Sequence, residues 1–443
     1  MEKENAYSKP VTLKGILAFA VPTIAMSVFM SFYTMVDGLF VSNLIGTSAL
    51  SAINLTAPVI QLVTAISTML ATGGSAAIMK KMGEQKPDEA REDFTFLILV
   101  NVAVGVAMCA AGYAVMGRLF QGMGLSADVA AYCQEYLSCY LLFTVPILLM
   151  NNFTLYMIAS GKATLSLFCS VGGGVLNMVL DYVLIAVLHM GIGGAAIATG
   201  LGYSVTAAAG LVVFSRRENL LHFTKPALRL RVLGNAAANG CSEMATALVT
   251  GIITLMFNWT MLRYVGEDGI AAVTIIMYVL MFASSLYTGY SYGVAPMISY
   301  YYGEKNREKL KKLVAISLKV IAVISLVTAA ASYAATGPLV SVFARPDNPV
   351  YGLAFTGNRI CTIALLFIGF NIFASGMFTA LSNGVVSAVL AFSRSFVFML
   401  ITMLVLPAVF GVTGNWLATP AAELMALALS AALFGKYRER YQY

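Results

Sequence analysis

Long apolar runs separated by short polar loops fill this chain from near its first residue to near its last. Twelve runs are long enough to cross a bilayer, which takes roughly 20 apolar residues. They cover approximately residues 14–41, 52–80, 94–117, 132–159, 163–188, 191–214, 233–260, 270–298, 313–335, 355–382, 384–409 and 413–435. The pattern predicts an all-α polytopic membrane protein.

The longest polar connector falls in the middle of the chain, at residues 215–231, and divides the runs into two groups of six. We therefore expect an N-terminal six-helix lobe over 1–214 and a C-terminal six-helix lobe over 232–443. A pseudo-two-fold axis along the membrane normal would relate them, with a cavity between them.

Composition agrees with this class: 59% of residues are hydrophobic and 11% are charged, against about 25% charged in soluble domains. The net charge of +7 comes from basic residues in short loops, which is a topology signal and not a phosphate-binding face. We expect the lipid bilayer, and no nucleic acid, among the partners.

The basic residues are strongly one-sided. Twenty-one Lys and Arg residues fall in loops on one side and four on the other, namely Arg118, Arg263, Arg345 and Arg359. The positive-inside rule then predicts that both termini and the connector are cytoplasmic, in the cell (inner or plasma) membrane. The first apolar run is too long for a signal-peptide core, so no cleavable signal is expected.

The two halves also repeat at a spacing of 220 residues. Ile45-Gly46 matches Val265-Gly266, Gly73 matches Gly293, and Gly83-Glu84 matches Gly303-Glu304, without a gap. Charges do not follow the repeat, because the counterpart of Asp37 is Phe257 and that of Glu243 is Thr23. The halves share a shape, and the first half has the character of an ion-coupling lobe.

Asp37 is the most informative residue of the first run, LAFAVPTIAMSVFMSFYTMVDGLFV. A carboxylate at membrane depth costs about 2.5–3.5 kcal/mol on insertion scales, so it usually faces a cavity and has a function. Pro22 and Gly38 loosen the same helix, as in helices that form transporter binding sites. The alternative is a hydrated residue near the membrane interface.

Three further acids lie within apolar runs: Asp181, Glu243 and Glu423. Asn177 and Asp181 share one helix face, and with Thr199 they offer oxygen ligands suited to a proton or sodium; Asn177 alternatively joins helices. Glu243 pairs with a cationic substrate or is hydrated near the cytoplasmic end. Glu423 has no polar neighbourhood in sequence and is interpreted as structural. With two histidines and no CxxC pair, no metal site other than possible sodium and no cofactor are expected.

The sequence resembles the multidrug and toxic compound extrusion (MATE) family over essentially its whole length. The matching pieces are VPTIAMSVFMSFYTMVDGLFVSNLIGTSALSAINLTAPV, NMVLDYVLI, the GEQK and GEKN loops, and NGCSEM. Membership implies export of cationic, amphipathic drugs in exchange for protons or sodium by alternating access. It also implies that Asp37, Asn177, Asp181 and Thr199 form the coupling-cation site and that Glu243, with Asp37, contacts substrate.

Segment ten departs from the family pattern, because LLFIGFNIFASGMF offers no carboxylate where some members have an Asp. An alternative function is a lipid-linked oligosaccharide flippase of the same wider superfamily, which needs several basic residues around its cavity. Only Arg359 and Arg394 are candidates, and both are near segment ends. No nucleophile–base pair or HExxH motif favours an enzyme. We expect a monomer that acts on small cationic substrates.

Overall fold

The predicted all-α architecture is confirmed in a computed structural model of the chain. It describes the backbone of residues 7, 10–44, 47–121 and 127–443, without the side chains of 37–44, 47–51, 54, 119–121 and 127–128. Six helices precede the connector: α1 Leu13–Leu44, α2 Thr47–Gly83, α3 Pro87–Gln121, α4 Ala127–Leu142 with Thr144–Ala159, α5 Ala163–Asp181 with the π-helical turn Tyr182–Val187, and α6 Gly191–Ser215.

The second half repeats this order after the connector. Its helices are α7 Leu230–Tyr264, α8 Glu267–Gly303, α9 Arg307–Ala334, α10 Pro349–Cys361 continuing through Thr362–Ala364 to Leu365–Ala380, and one long run from Gly384 to Tyr441. A short helix, Thr336–Ser341, lies between α9 and α10. Gly411 has a φ of +57° and breaks the long run. We name the part before it α11 and the part after it α12.

Ten helices in the described chain are long and apolar enough to cross a membrane, or eleven when the two parts of α4 form one bent span. The parts of α4 meet at 53°. Dividing the last run at Gly411 separates α11 from α12, as the sequence predicted.

The two halves meet through α1, α2, α7 and α8. Contacts are closest at the end of the bundle that carries the connector, here named the connector end. A Cβ at Gly83 would lie 2.0 Å from the carbonyl oxygen of Tyr300, and a Cβ at Gly303 would lie 2.0 Å from that of Lys80. These pairs exchange under the 220-residue repeat, so α2 and α8 cross symmetrically. Only glycine allows this backbone approach.

The connector is tied to α3 by ion pairs. Arg229 lies 3.3 Å from Asp93 and 2.7 Å from Glu92, measured from guanidinium nitrogen to carboxylate oxygen. Lys81 on α2 pairs with the same buried Asp93. The connector end is therefore held by the close crossing of α2 and α8 and by ion pairs between α2, α3 and the connector. We name the opposite end of the bundle the far end.

Candidate functional site

Two adjoining cavities, of about 480 and 420 Å³, lie between the halves. We name them together the central cavity. They share five lining residues, Leu155, Met281, Ser284, Thr288 and Tyr292. The backbone contacts of α2 and α8 close the connector end, so the cavity extends toward the far end. Met26, Met30, Met150 and Met277 also line it, and their polarizable thioethers adapt to apolar ligands of varied shape.

Glu243 lines the larger cavity from α7. Gly240 lies one helical turn before Glu243. A Cβ added at Gly240 would lie 2.0 Å from the carbonyl oxygen of Met69 on α2. This close packing holds the first part of α7 against α2 and presents the acid just above the closed end. Within the described residues, Glu243 makes no hydrogen bond or ion pair.

Arg394 lines the same cavity, but its charge is already matched. Its Nε lies 2.8 and 3.0 Å from the two carboxylate oxygens of Glu423 on α12. Asn371 on α10 donates to Glu423 at 2.8 Å, and Ser430 donates to Asn371 at 3.0 Å. Since Arg394 and Glu423 neutralise one another, Glu243 contributes the unbalanced negative charge of this wall.

This arrangement corrects the sequence-based placement of Arg394 and gives Glu423, which was interpreted as structural, partners that its neighbourhood in the sequence lacks. Glu423 does have polar partners, which helix packing supplies from α10 and α11. Arg394 lies inside α11, in the π-helical turn Ser393–Phe398, and not at a segment end. Arg359 stays near the far end, stacked on Tyr333 and Phe355 with its guanidinium carbon 4.8 and 4.5 Å from the ring centroids.

The polar residues of the first half lie between α5 and α6. Asn177 donates to the Thr199 hydroxyl at 3.3 Å, and Thr199 donates to the carbonyl of Ala195 at 3.0 Å. Asp181 follows one turn beyond Asn177, immediately before the π-helical turn, and is fully buried. The structure thus brings Asn177 and Thr199 into contact and places Asp181 on the same helix face. Asp37 lies outside the described side chains.

The packing of α5 on α6 encloses this group. A Cβ at Gly202 would lie 2.7 Å from the carbonyl oxygen of Gly173 and 2.9 Å from the Cβ of Asn177. The Oδ1 of Asn177 is buried and has no hydrogen-bond partner among the described residues. A buried amide oxygen without a donor is suited to a hard metal cation, so it fits sodium binding, whereas a proton would need the carboxyl group of Asp181.

A narrow crevice leads from the central cavity toward this group. It shares Met30, Met150 and Ser170 with the smaller cavity and also borders Gly173 and Gly202. Gly173 is one turn before Asn177 on α5. The enclosed group of the first half therefore lies next to the central cavity and not at a distant surface.

Sequence reasoning missed the threonines of α7. Thr246, Thr250 and Thr254 line the larger cavity, each four residues from the next. The signal was present as a spacing of four that begins three residues after Glu243. It was overlooked because hydroxyl residues are common in transmembrane helices and carry no charge.

Comparison with known proteins supports the architecture as a whole. The family model described as MatE matches residues 22–183 and 243–406. The multidrug export protein MepA of Staphylococcus haemolyticus is 23% identical over 431 residues, covering 96% of this chain and 94% of that protein.

Solved structures of the same family share the fold. A MATE structure in complex with MaL6 gives a TM-score of 0.94 at 22% identity and covers 99% of both chains. The outward-facing conformation of a multidrug resistance MATE family transporter gives a TM-score of 0.91 at 22% identity over 96% of both chains. The family model matches a long stretch in each half of the sequence, and the chain belongs to the MATE family of membrane transporters.

Proposed function

We propose that this protein is a secondary active antiporter that exports cationic amphipathic compounds in exchange for protons or sodium. The observation that carries the proposal is the central cavity between the two halves, with Glu243 unpaired in its wall among the described residues. A carboxylate that faces a cavity at membrane depth is typical of a substrate or ion pathway. Membership of a multidrug efflux family and the likeness to a multidrug export protein support drug efflux.

In this proposal the lobes 1–214 and 232–443 rock about the connector 215–231. The connector end is cytoplasmic, as the basic loops predict, so the state described here has its cavity directed outward. Asp37, Asn177, Asp181 and Thr199 bind the coupling cation, and Glu243 binds the drug. The protein acts as a monomer in the cell membrane, and its two halves supply every part of the cavity.

The flippase alternative is disfavoured by the charge of the cavity. A pyrophosphate-linked lipid needs several unpaired basic side chains to hold it. Among the described residues that line the central cavity, Arg394 is the single basic one, and Glu423 neutralises it. Arg359 stacks on aromatic rings elsewhere.

Transport in proteoliposomes tests the proposal. Purified protein should drive a fluorescent cation such as ethidium against its gradient when a pH or sodium gradient is imposed, and the effective gradient identifies the ion. Folded protein that moves no cation under either gradient, but moves a lipid-linked pyrophosphate, would favour the flippase.

A further inference from the structure

The threonines of α7 form a single line along the larger cavity. We name Thr246, Thr250 and Thr254 the threonine ladder. Residues four apart lie on one helix face with a rise of about 6 Å between them. All three line the cavity that contains Glu243, which precedes the first of them by three residues. The ladder therefore runs from the acid toward the far end.

The ladder's hydroxyl hydrogens are already used. Thr246 donates to the carbonyl of Ser242 at 3.0 Å, Thr250 to that of Thr246 at 2.9 Å, and Thr254 to that of Thr250 at 3.0 Å. A hydroxyl has one hydrogen and two lone pairs, so each oxygen that donates inside the helix can only accept from the cavity.

The facing helix α2 continues the same chemistry. Thr68 and Thr72 line the central cavity and donate to the carbonyls of Thr64 and Thr68 at 2.9 and 2.8 Å. An ionised carboxylate is likewise an acceptor without a hydrogen to donate. Two neighbouring walls thus present hydrogen-bond acceptors around Glu243.

We infer that the threonine ladder selects cations that carry several N–H donors, such as alkylguanidinium and linear polyamine compounds, over quaternary cations that carry none. This inference rests on the proposed function, since it requires Glu243 to hold the positive charge. A guanidinium or chain of ammonium groups satisfies the ladder's lone pairs while its charge sits near the acid. A quaternary ammonium or phosphonium gains the charge attraction alone.

The test uses a matched pair of cations with the same dodecyl chain, one ending in guanidinium and one in trimethylammonium. Each is measured as a competitor of tetraphenylphosphonium efflux from proteoliposomes. The reporter has no N–H group, so removal of a ladder oxygen leaves its own binding unchanged. Wild-type protein should bind the guanidinium compound more tightly than the trimethylammonium compound.

Thr250→Val keeps the shape and branching of the side chain and removes its oxygen. It should weaken competition by the guanidinium compound about ten- to hundredfold, the range for one hydrogen bond to a charged group, and change competition by the trimethylammonium compound less than twofold. Thr250→Ser keeps the oxygen and should behave as wild type. Thr246→Val and Thr254→Val should repeat the pattern, and thermal unfolding checks that each variant is folded.

Two results would overturn the inference. One is that the wild-type protein does not prefer the guanidinium compound, and the other is that Thr250→Val loses affinity for both compounds equally. Failure of the proposed function is separate, since the wild-type protein would then transport neither the reporter nor the competitors. Selective loss of the guanidinium compound establishes the ladder as a specificity determinant.

Discussion

Asn177 and Thr199 of the first half are hydrogen-bonded to each other between two closely packed helices, whereas Glu243 of the second half faces a cavity of about 480 Å³. Both halves derive from one repeat, yet Asn177 and Thr199 are enclosed between helices while Glu243 lines the wall of the cavity. An enclosed group of oxygens is suited to a small ion that sheds its water. A single carboxylate in the wall of a wide cavity is suited to a large organic cation. We propose that transport is divided in the same way, with ion coupling in the first lobe and drug recognition in the second.

Removing the acidic group of Asp37, in the proposed coupling lobe, should have the largest effect on transport. Asp37→Asn mimics the neutral carboxyl without cycling, so gradient-driven efflux should be abolished while drug binding at equilibrium persists. Asp181→Asn should impair efflux as well, more severely when sodium is the driving ion. Parallel measurements of efflux and of equilibrium binding check this separation. Full gradient-driven transport by Asp37→Asn would place the coupling site elsewhere.

Glu243→Gln should have the next largest effect, and this effect should be on the binding of cationic drugs. A hydrogen bond to a charged group contributes about 1.5–3 kcal/mol, so the apparent affinity for a cationic drug should fall about ten- to hundredfold. Export of a neutral substrate should be nearly unchanged, because it does not use the charge. Dose–response curves for one cation and one neutral compound give the answer. An equal loss of export for the cationic and the neutral compound would contradict the proposed division of roles between the lobes.

Gly83→Ala tests the closed connector end that both lobes share. Its Cβ would lie 2.0 Å from the carbonyl oxygen of Tyr300, and overpacking of this kind costs about 1–3 kcal/mol. The ratio of connector-closed to connector-open molecules should fall roughly tenfold, seen as longer distances between spin labels on Lys86 and Arg307. Gly303→Ala should act alike by symmetry.

Gly117→Ala is the matched control, because nothing lies within 4 Å of the added Cβ. It should leave the label distances as in wild type. Lengthening in Gly117→Ala as large as in Gly83→Ala would show that the effect does not come from the crossing of α2 and α8.

Glu423→Gln tests whether Glu423 neutralises the charge of Arg394 in the cavity wall, and it should have the smallest effect on transport. It leaves Arg394 without its carboxylate and directs that positive charge toward Glu243. A change in interaction of about 1 kcal/mol should weaken cationic drug binding roughly fivefold. The double variant Arg394→Gln with Glu423→Gln restores the net charge and should recover most of the affinity. Affinity that stays low in the double variant would mean that the pair shapes the wall instead of balancing its charge.

Much of the candidate site was visible before any fold was known. The spacing of Asn177 and Asp181 predicted a shared helix face. The contact of Asn177 with Thr199 depends on a neighbouring helix in the same half, so a short chain distance made it foreseeable. The position of Arg394 was misjudged and the partners of Glu423 were not foreseen, because one π-helical turn and the packing of three helices decide which way their side chains turn.

The sequence alone determined the membrane class, the twelve runs and the 220-residue repeat, since each depends on hydrophobicity and spacing along the chain. It also marked the glycines where α2 and α8 cross, because the repeat preserves them. The tertiary structure alone decided that Arg394 is neutralised by Glu423 and that the threonine ladder lines the cavity with Glu243. Those properties depend on which faces of distant helices meet, and the pattern along a single apolar helix does not encode its neighbour.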